Sequence, residues 1–243
     1  MTKKSRIYNS IEKISSDNVS EFWNSRAKKT SSLEGVLLGE GLATNSAVIR
    51  NEKEKKILQS LLTKNKKIKI LDIGSGIGRW ANNLLSIIDV YHGIDFSENF
   101  VLKACEIFKN YKNISFFTMS ATEIDRTKLL KHYDLILING VCMYINDVPL
   151  LNLFSELNDF LSDQGCIYLQ ESVSITGNRL TLNEFYSKDL KCTYSAIYRT
   201  KNDYDTLITK QLTSIEILKT GLLLDEKSGA REETNAQYWF LKK

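Results

Sequence analysis

Proline is nearly missing from this chain, with Pro149 the only one in 243 residues. Proline-rich linkers and polyproline recognition segments are therefore excluded. Histidine is almost as scarce, at His92 and His132, and both fall inside or just before apolar runs where a structural role is expected. Four cysteines, Cys105, Cys142, Cys166 and Cys192, lie far apart without a CxxC pair, so neither a zinc knuckle nor a disulfide framework is indicated. They read as buried thiols in a reducing compartment, and no metal is expected. No run approaches the roughly 18 apolar residues that span a bilayer, and the N-terminus MTKKSRIYNS lacks an apolar core of the signal-peptide kind. The expectation is a soluble, cytoplasmic protein. A net charge of +4 is too small to suggest a nucleic-acid partner. The lysines of NEKEKKILQSLLTKNKKIK alternate with acids and read as one solvated helix face.

What the chain does have is enough apolar residue, 42%, to bury a core within one large domain. Apolar β-rich runs alternate with helical patterns, the signature of βαβ units and a parallel sheet. Strands are expected at 69–73, 90–94, 114–119, 133–139 and 165–169, with helices after the first two and from Leu150, behind Pro149. Ser97 is placed to cap the second of these helices. SIEILKTGLLL and AQYWFLKK read as a closing pair of strands. Residues 1–60 look like a helical cover added before a core of 61–243, and a polar, tyrosine-rich insertion occupies about 172–210.

The stretch ILDIGSGIGRW puts Gly74, Gly76 and Gly78 directly behind the first strand. Such a turn aims backbone N–H groups and a helix N-terminus at the carboxyl edge of the sheet. A dinucleotide fingerprint needs a third glycine where Arg79 stands, and a P-loop needs a Gly-Lys-Ser/Thr that is absent. The acid Asp72 before the glycines disfavours a pyrophosphate and suits a ligand that carries positive charge.

These residues resemble the first motif of the class I S-adenosylmethionine-dependent methyltransferases, and the resemblance runs over residues 68–171. It implies a single-domain, Rossmann-like α/β fold with a seven-stranded, mostly parallel sheet in the strand order 3-2-1-4-5-7-6 and helices on both faces. It also implies S-adenosyl-L-methionine as cofactor. YHGIDFS resembles the second motif, making Asp95 the acceptor of both ribose hydroxyls, with Phe96 along the adenine and Ser97 beside it. FFTMSATEI stands for the third, with Ser120 where the family often has aspartate, and with Ala121 and Thr122 facing the base. YDLILINGVCMYIND stands for the fourth, with Asn139 beneath the transferred methyl and Met143 and Tyr144 where many relatives carry histidines. SEFWNSRAKK resembles the N-terminal helix that closes over the cofactor, which assigns Trp23 to a wall and Arg26 to the methionine carboxylate.

The acceptor is less legible. Glu171, directly after YLQ, is the first candidate for a base, and Tyr144 for orienting a substrate. Tyr194, Tyr198, Arg199 and Tyr204 follow strand five, where related enzymes insert an acceptor cover. Aromatic rings beside a planar cation suit a polar or anionic molecule. The reading is methyl transfer to a hydroxyl of a small metabolite or sugar-containing compound. The alternatives are an N-methyltransferase of a peptide or amine, or a non-catalytic subunit that only binds the cofactor.

Overall fold

A computed structural model describes residues 5–29, 32–37, 45–62, 66–225 and 231–243. The runs of branched and aromatic residues form the strands β2 (Ile68–Ile73), β3 (Ile88–Asp95), β4 (Ile114–Thr118), β5 (Tyr133–Asn139) and β6 (Leu161–Ser174). Two later strands, β9 (Glu216–Leu222) and β10 (Thr234–Lys242), complete one seven-stranded sheet ordered β4-β3-β2-β5-β6-β10-β9. That is the expected order. β2, β3, β4, β5 and β6 run parallel, whereas β10 lies antiparallel to both β6 and β9.

Both faces of the sheet are covered, which is why its strands read as continuous apolar runs. On one face Leu71, Ile73, Ile136 and Ile138 meet α6 (Asp147–Phe160) and α7 (Lys201–Gln211) through Leu153, Phe154, Leu157 and Ile208. On the other, Ile70, Leu135 and Leu137 pack with residues of α3 (Ser46–Leu61), α4 (Arg79–Asn83) and α5 (Glu98–Ile107). Full burial of each such side chain contributes about 1.5–3 kcal/mol. That term is what lets α4 exist, since five residues are too few to hold a helix alone. The helix expected after the first strand is short: it ends at Asn83, and a 3₁₀ turn at Leu85–Ile87 leads straight into β3. Pro149 falls in the first turn of α6, where its missing N–H costs nothing.

The carboxyl edge of the sheet carries a second, smaller sheet. β1 (Arg6–Tyr8), β7 (Leu180–Ser187) and β8 (Cys192–Tyr198) pair antiparallel in the order β1-β7-β8. The first 60 residues are thus not purely helical: β1 precedes α1 (Ser16–Lys29) and α2 (Leu33–Val36). The insertion also narrows to the β7–β8 hairpin, because α7 packs against α6 as part of the core. Its start is fixed by a capping box in which Thr200 and Asp203 satisfy each other's backbone N–H groups. Asn146 ties the cover to the core, donating to the carbonyl of Ile14 at 2.9 Å and accepting from its N–H at 3.0 Å. Glu54, expected on a solvated helix face, is instead fully buried.

Candidate active site

Three glycines bend the chain between β2 and α4, and each takes a positive φ. Gly78 is required for packing, since a Cβ there would stand 2.6 Å from the ring of Phe108 and 2.8 Å from that of Phe116. Gly76 is different. A Cβ on it would meet only Val36, at 3.5 Å, so the constraint is its φ of +54° and the open space it borders. Its N–H donates to Asp95 Oδ2 at 2.9 Å, while Asp95 Oδ1 accepts from Ser97 N–H at 2.9 Å. Parallel pairing of β2 with β3 is what sets Asp95 beside the turn. Burial raises the Asp95 carboxyl to about 6, against the pull of these two amides.

Two cavities open along this edge. The first, of about 540 Å³, brings together Gly74, Gly76, Asp95 and Phe96 from the ends of β2 and β3. Ser120, Ala121 and Thr122 enter it from the end of β4, and the Ser120 hydroxyl accepts from Thr122 N–H at 3.2 Å in a local turn. The second, of about 120 Å³, is walled by Tyr194 and Tyr198, whose hydroxyls are 2.5 Å apart, and by Arg50, Arg79 and Arg231. Trp23, Val36, Gly74, Asn139, Gly140 and Tyr144 belong to the walls of both. Trp23 stands edge-on to Tyr144 at 5.3 Å. Both amide atoms of Asn139 are buried without a hydrogen-bond partner. Buried polar atoms are normally paired, so this side chain at the junction is set for a ligand.

Other expected residues lie elsewhere. Glu171 is 1% exposed, and its carboxylate accepts from the N–H groups of Val141 at 2.8 Å, Cys142 at 2.9 Å and Met143 at 3.3 Å. Burial raises it to about 7, against those amide donors. It ties down the turn after β5 and does not face the second cavity. Arg199 is buried too, donating to Asp147 and to the carbonyls of Cys142 and Ile145, so its fork has no room for a substrate. Tyr204 packs inside the core, 5.2 Å from Trp239. Asp72 is also enclosed. It accepts from the Tyr91 hydroxyl, and burial raises it to about 7 against that bond and the Arg79 charge. Ser97 occupies the N-cap position of α5, but its fully buried hydroxyl has no partner. Arg26 donates to the carbonyl of Gly35 at 3.0 Å and lines a separate groove between α1 and β8.

The sequence reading missed a buried ionic cluster. Glu54 of α3 accepts from Arg50 Nε at 2.6 Å, from Arg79 at 2.7 Å and from Gln170 at 2.5 Å. Burial alone would raise its pKa, but Arg50 and Arg79 hold it below the usual carboxylate range. Arg79, the residue that breaks the dinucleotide pattern, was the available signal.

With this geometry in view, the likeness to known proteins falls on the same residues. A family model described as a methyltransferase domain matches residues 71–167, the segment from β2 into β6 that carries the glycine turn, Asp95 and Asn139. Residues 71–167 are thus similar to a methyltransferase domain. It is 29% identical over 140 residues to phosphoethanolamine N-methyltransferase 1 of Zea mays, covering 58% of this chain and 27% of that protein. It is 31% identical over 116 residues to the malonyl-[acyl-carrier protein] O-methyltransferase of Bacillus anthracis, covering 43% of this chain and 42% of that one. The chain thus spans about a quarter of the length of the plant relative. Its fold is that of Haemonchus contortus phosphoethanolamine N-methyltransferase 1, solved with phosphoethanolamine and S-adenosylhomocysteine. That match has a TM-score of 0.72 at 21% identity, over 93% of this chain and 48% of that one. S-adenosylmethionine is the cofactor of such domains, and the first cavity fits it. Asp95 offers acceptor sites for ribose hydroxyls, Gly76 an open backbone, and Asn139 unpaired donors and an acceptor at the junction. Among the described residues no cluster of side chains could hold a metal, and no helix is long and apolar enough to cross a membrane.

Proposed function

We propose that the chain transfers a methyl group to the nitrogen of a small amine that enters the second cavity. One observation carries the choice of nitrogen: no carboxylate or imidazole lines that cavity among the described residues. Its titratable hydroxyls, Tyr144, Tyr194 and Tyr198, are all pushed up by burial and stay protonated at neutral pH. A hydroxyl acceptor gains about 10²–10⁴-fold from a positioned base, and Glu171, the sequence-based candidate for one, has its carboxylate taken up by three amides. An amine with a free lone pair needs no proton removed in the transfer itself.

Bound S-adenosylmethionine supplies a methyl group activated by its sulfonium. The chain's own contribution is alignment and exclusion of water. Asp95 holds the ribose end, Asn139 and Gly140 border the junction, and Trp23 with Tyr144 forms a wall common to both cavities. The cavity of about 120 Å³ is smaller than a typical drug-sized site, which supports a compact acceptor over a peptide. The named relatives act on phosphoethanolamine and on a malonyl-carrier, so both nitrogen and oxygen acceptors occur among proteins similar to this one. The test is incubation with methyl-labelled S-adenosylmethionine and a mixed pool of small amines and alcohols. Label on a nitrogen is expected; label found only on oxygen would overturn the choice of acceptor atom.

A further inference from the structure

Charge is distributed unevenly over the walls of the second cavity. Among the described residues, every charged one that lines it is an arginine: Arg50, Arg79 and Arg231. Arg50 and Arg79 share the single carboxylate of Glu54, and Asp72, the other acid that feels Arg79, is pushed up by burial to about 7, so the positive charge of the two guanidiniums is not fully compensated. Arg50 bonds Glu54 through Nε, and its terminal nitrogens bond none of the described residues. Arg231, partly exposed, pairs loosely with Asp189 at 3.9 Å. Trp80 lines the same cavity, is 2% exposed, and leaves its indole N–H without a partner. An indole nitrogen and a guanidinium can only donate. Unpaired donors and surplus positive charge around one cavity call for an oxyanion, which a guanidinium fork binds with two parallel bonds.

We infer that the second cavity holds a compact oxyanion, a phosphate or carboxylate borne by the acceptor, on the Arg50 fork with Arg79 and the Trp80 indole. This rests on the proposed function, since it describes the far end of the molecule whose nitrogen is methylated. Glu54 is then a positioning residue. It fixes both arginines from behind and cancels one of their charges, which suits the site to a single anionic group.

The probes are inorganic phosphate and acetate, titrated calorimetrically into the chain alone and into the chain saturated with S-adenosylhomocysteine. Phosphate or acetate should bind in both cases, and whichever binds more tightly names the anion. Arg50→Gln should weaken that binding at least tenfold and leave S-adenosylhomocysteine affinity within threefold of the parent. Arg50→Lys, which keeps the charge but loses the fork, should fall between the two. The inference is overturned if neither anion binds, or if Arg50→Gln binds them as the parent does. It is equally overturned if S-adenosylhomocysteine displaces them, which would assign the arginines to the cofactor's own carboxylate. Failure of S-adenosylhomocysteine to bind would instead count against the methyltransferase reading.

Discussion

Asp95 shows how one side chain can serve both folding and binding. Its two oxygens already accept the N–H groups of Gly76 and Ser97, which shapes the turn, yet each oxygen keeps further acceptor capacity toward the cavity. Its carboxyl, raised from 3.8 to about 6 by burial, is protonated in the folded chain over a range where the unfolded chain has ionised. The stability it contributes is therefore full below 3.8 and lost as pH rises through about 6. Binding should run the other way, because the proposed hold on the ribose hydroxyls needs the ionised form. S-adenosylhomocysteine affinity should level off above about pH 7 and weaken as pH falls through about 6. In Asp95→Asn this slope should vanish and affinity should drop roughly tenfold to a hundredfold, the worth of one charge-assisted bond. Calorimetry over that range decides it, and an unchanged dissociation constant would show that Asp95 holds no ribose.

The turn from Gly140 to Tyr144 is an element with little periodic structure, and Glu171 is what shapes it. Three successive N–H groups point at one carboxylate. Glu171→Gln places an NH₂ where an acceptor stood, leaving at least one buried amide unpaired at a cost of about 1–3 kcal/mol. The variant should unfold at lower denaturant with an unchanged slope, and it should lose turnover because Tyr144 and Gly140 shift together. An unchanged midpoint would mean that the turn holds without the tie. Much at this scale was legible beforehand. β5 matches its apolar run from Tyr133 to Asn139, since both its faces are buried. The glycine turn and Asp95 were legible because local spacing carries them. The β7–β8 hairpin was not. Its exposed and buried residues come irregularly around Glu184, which takes a φ of +53° where the register shifts. β1 is only three residues long and exists through pairing with β7. The burial of Glu54 rests on Arg79, 25 residues away, and Gln170, 116 away, a distance no local pattern reports.

For the whole molecule, cover and core are joined by bonds between distant parts of the chain. Asn18 donates to Glu184 at 2.7 Å, Asn183 N–H to the carbonyl of Ser5 at 2.9 Å, and Arg6 pairs with Glu233. A ligand in the first cavity should therefore stabilise the entire fold and not one loop. S-adenosylhomocysteine at about 100 times its dissociation constant should add about 2.7 kcal/mol. For a chain of this length that raises the melting temperature by about 5–10 °C. NAD should give no shift, because Arg79 occupies the place of the fingerprint's third glycine and is held by Asn51 and Glu54. An equal shift with NAD would contradict the reading of the turn.

The wall common to the two cavities has a stereochemical consequence. Among the described residues, Trp23, Val36, Gly74, Asn139, Gly140 and Tyr144 make that wall and offer no thiol, amine, imidazole or carboxylate on which a methyl group could rest between two transfers. Tyr144, the single hydroxyl among them, is held protonated by burial. In the proposed transfer both reactants must then be present at once, and the carbon passes directly from one to the other. A methyl group made chiral with hydrogen isotopes should leave this site with its configuration inverted.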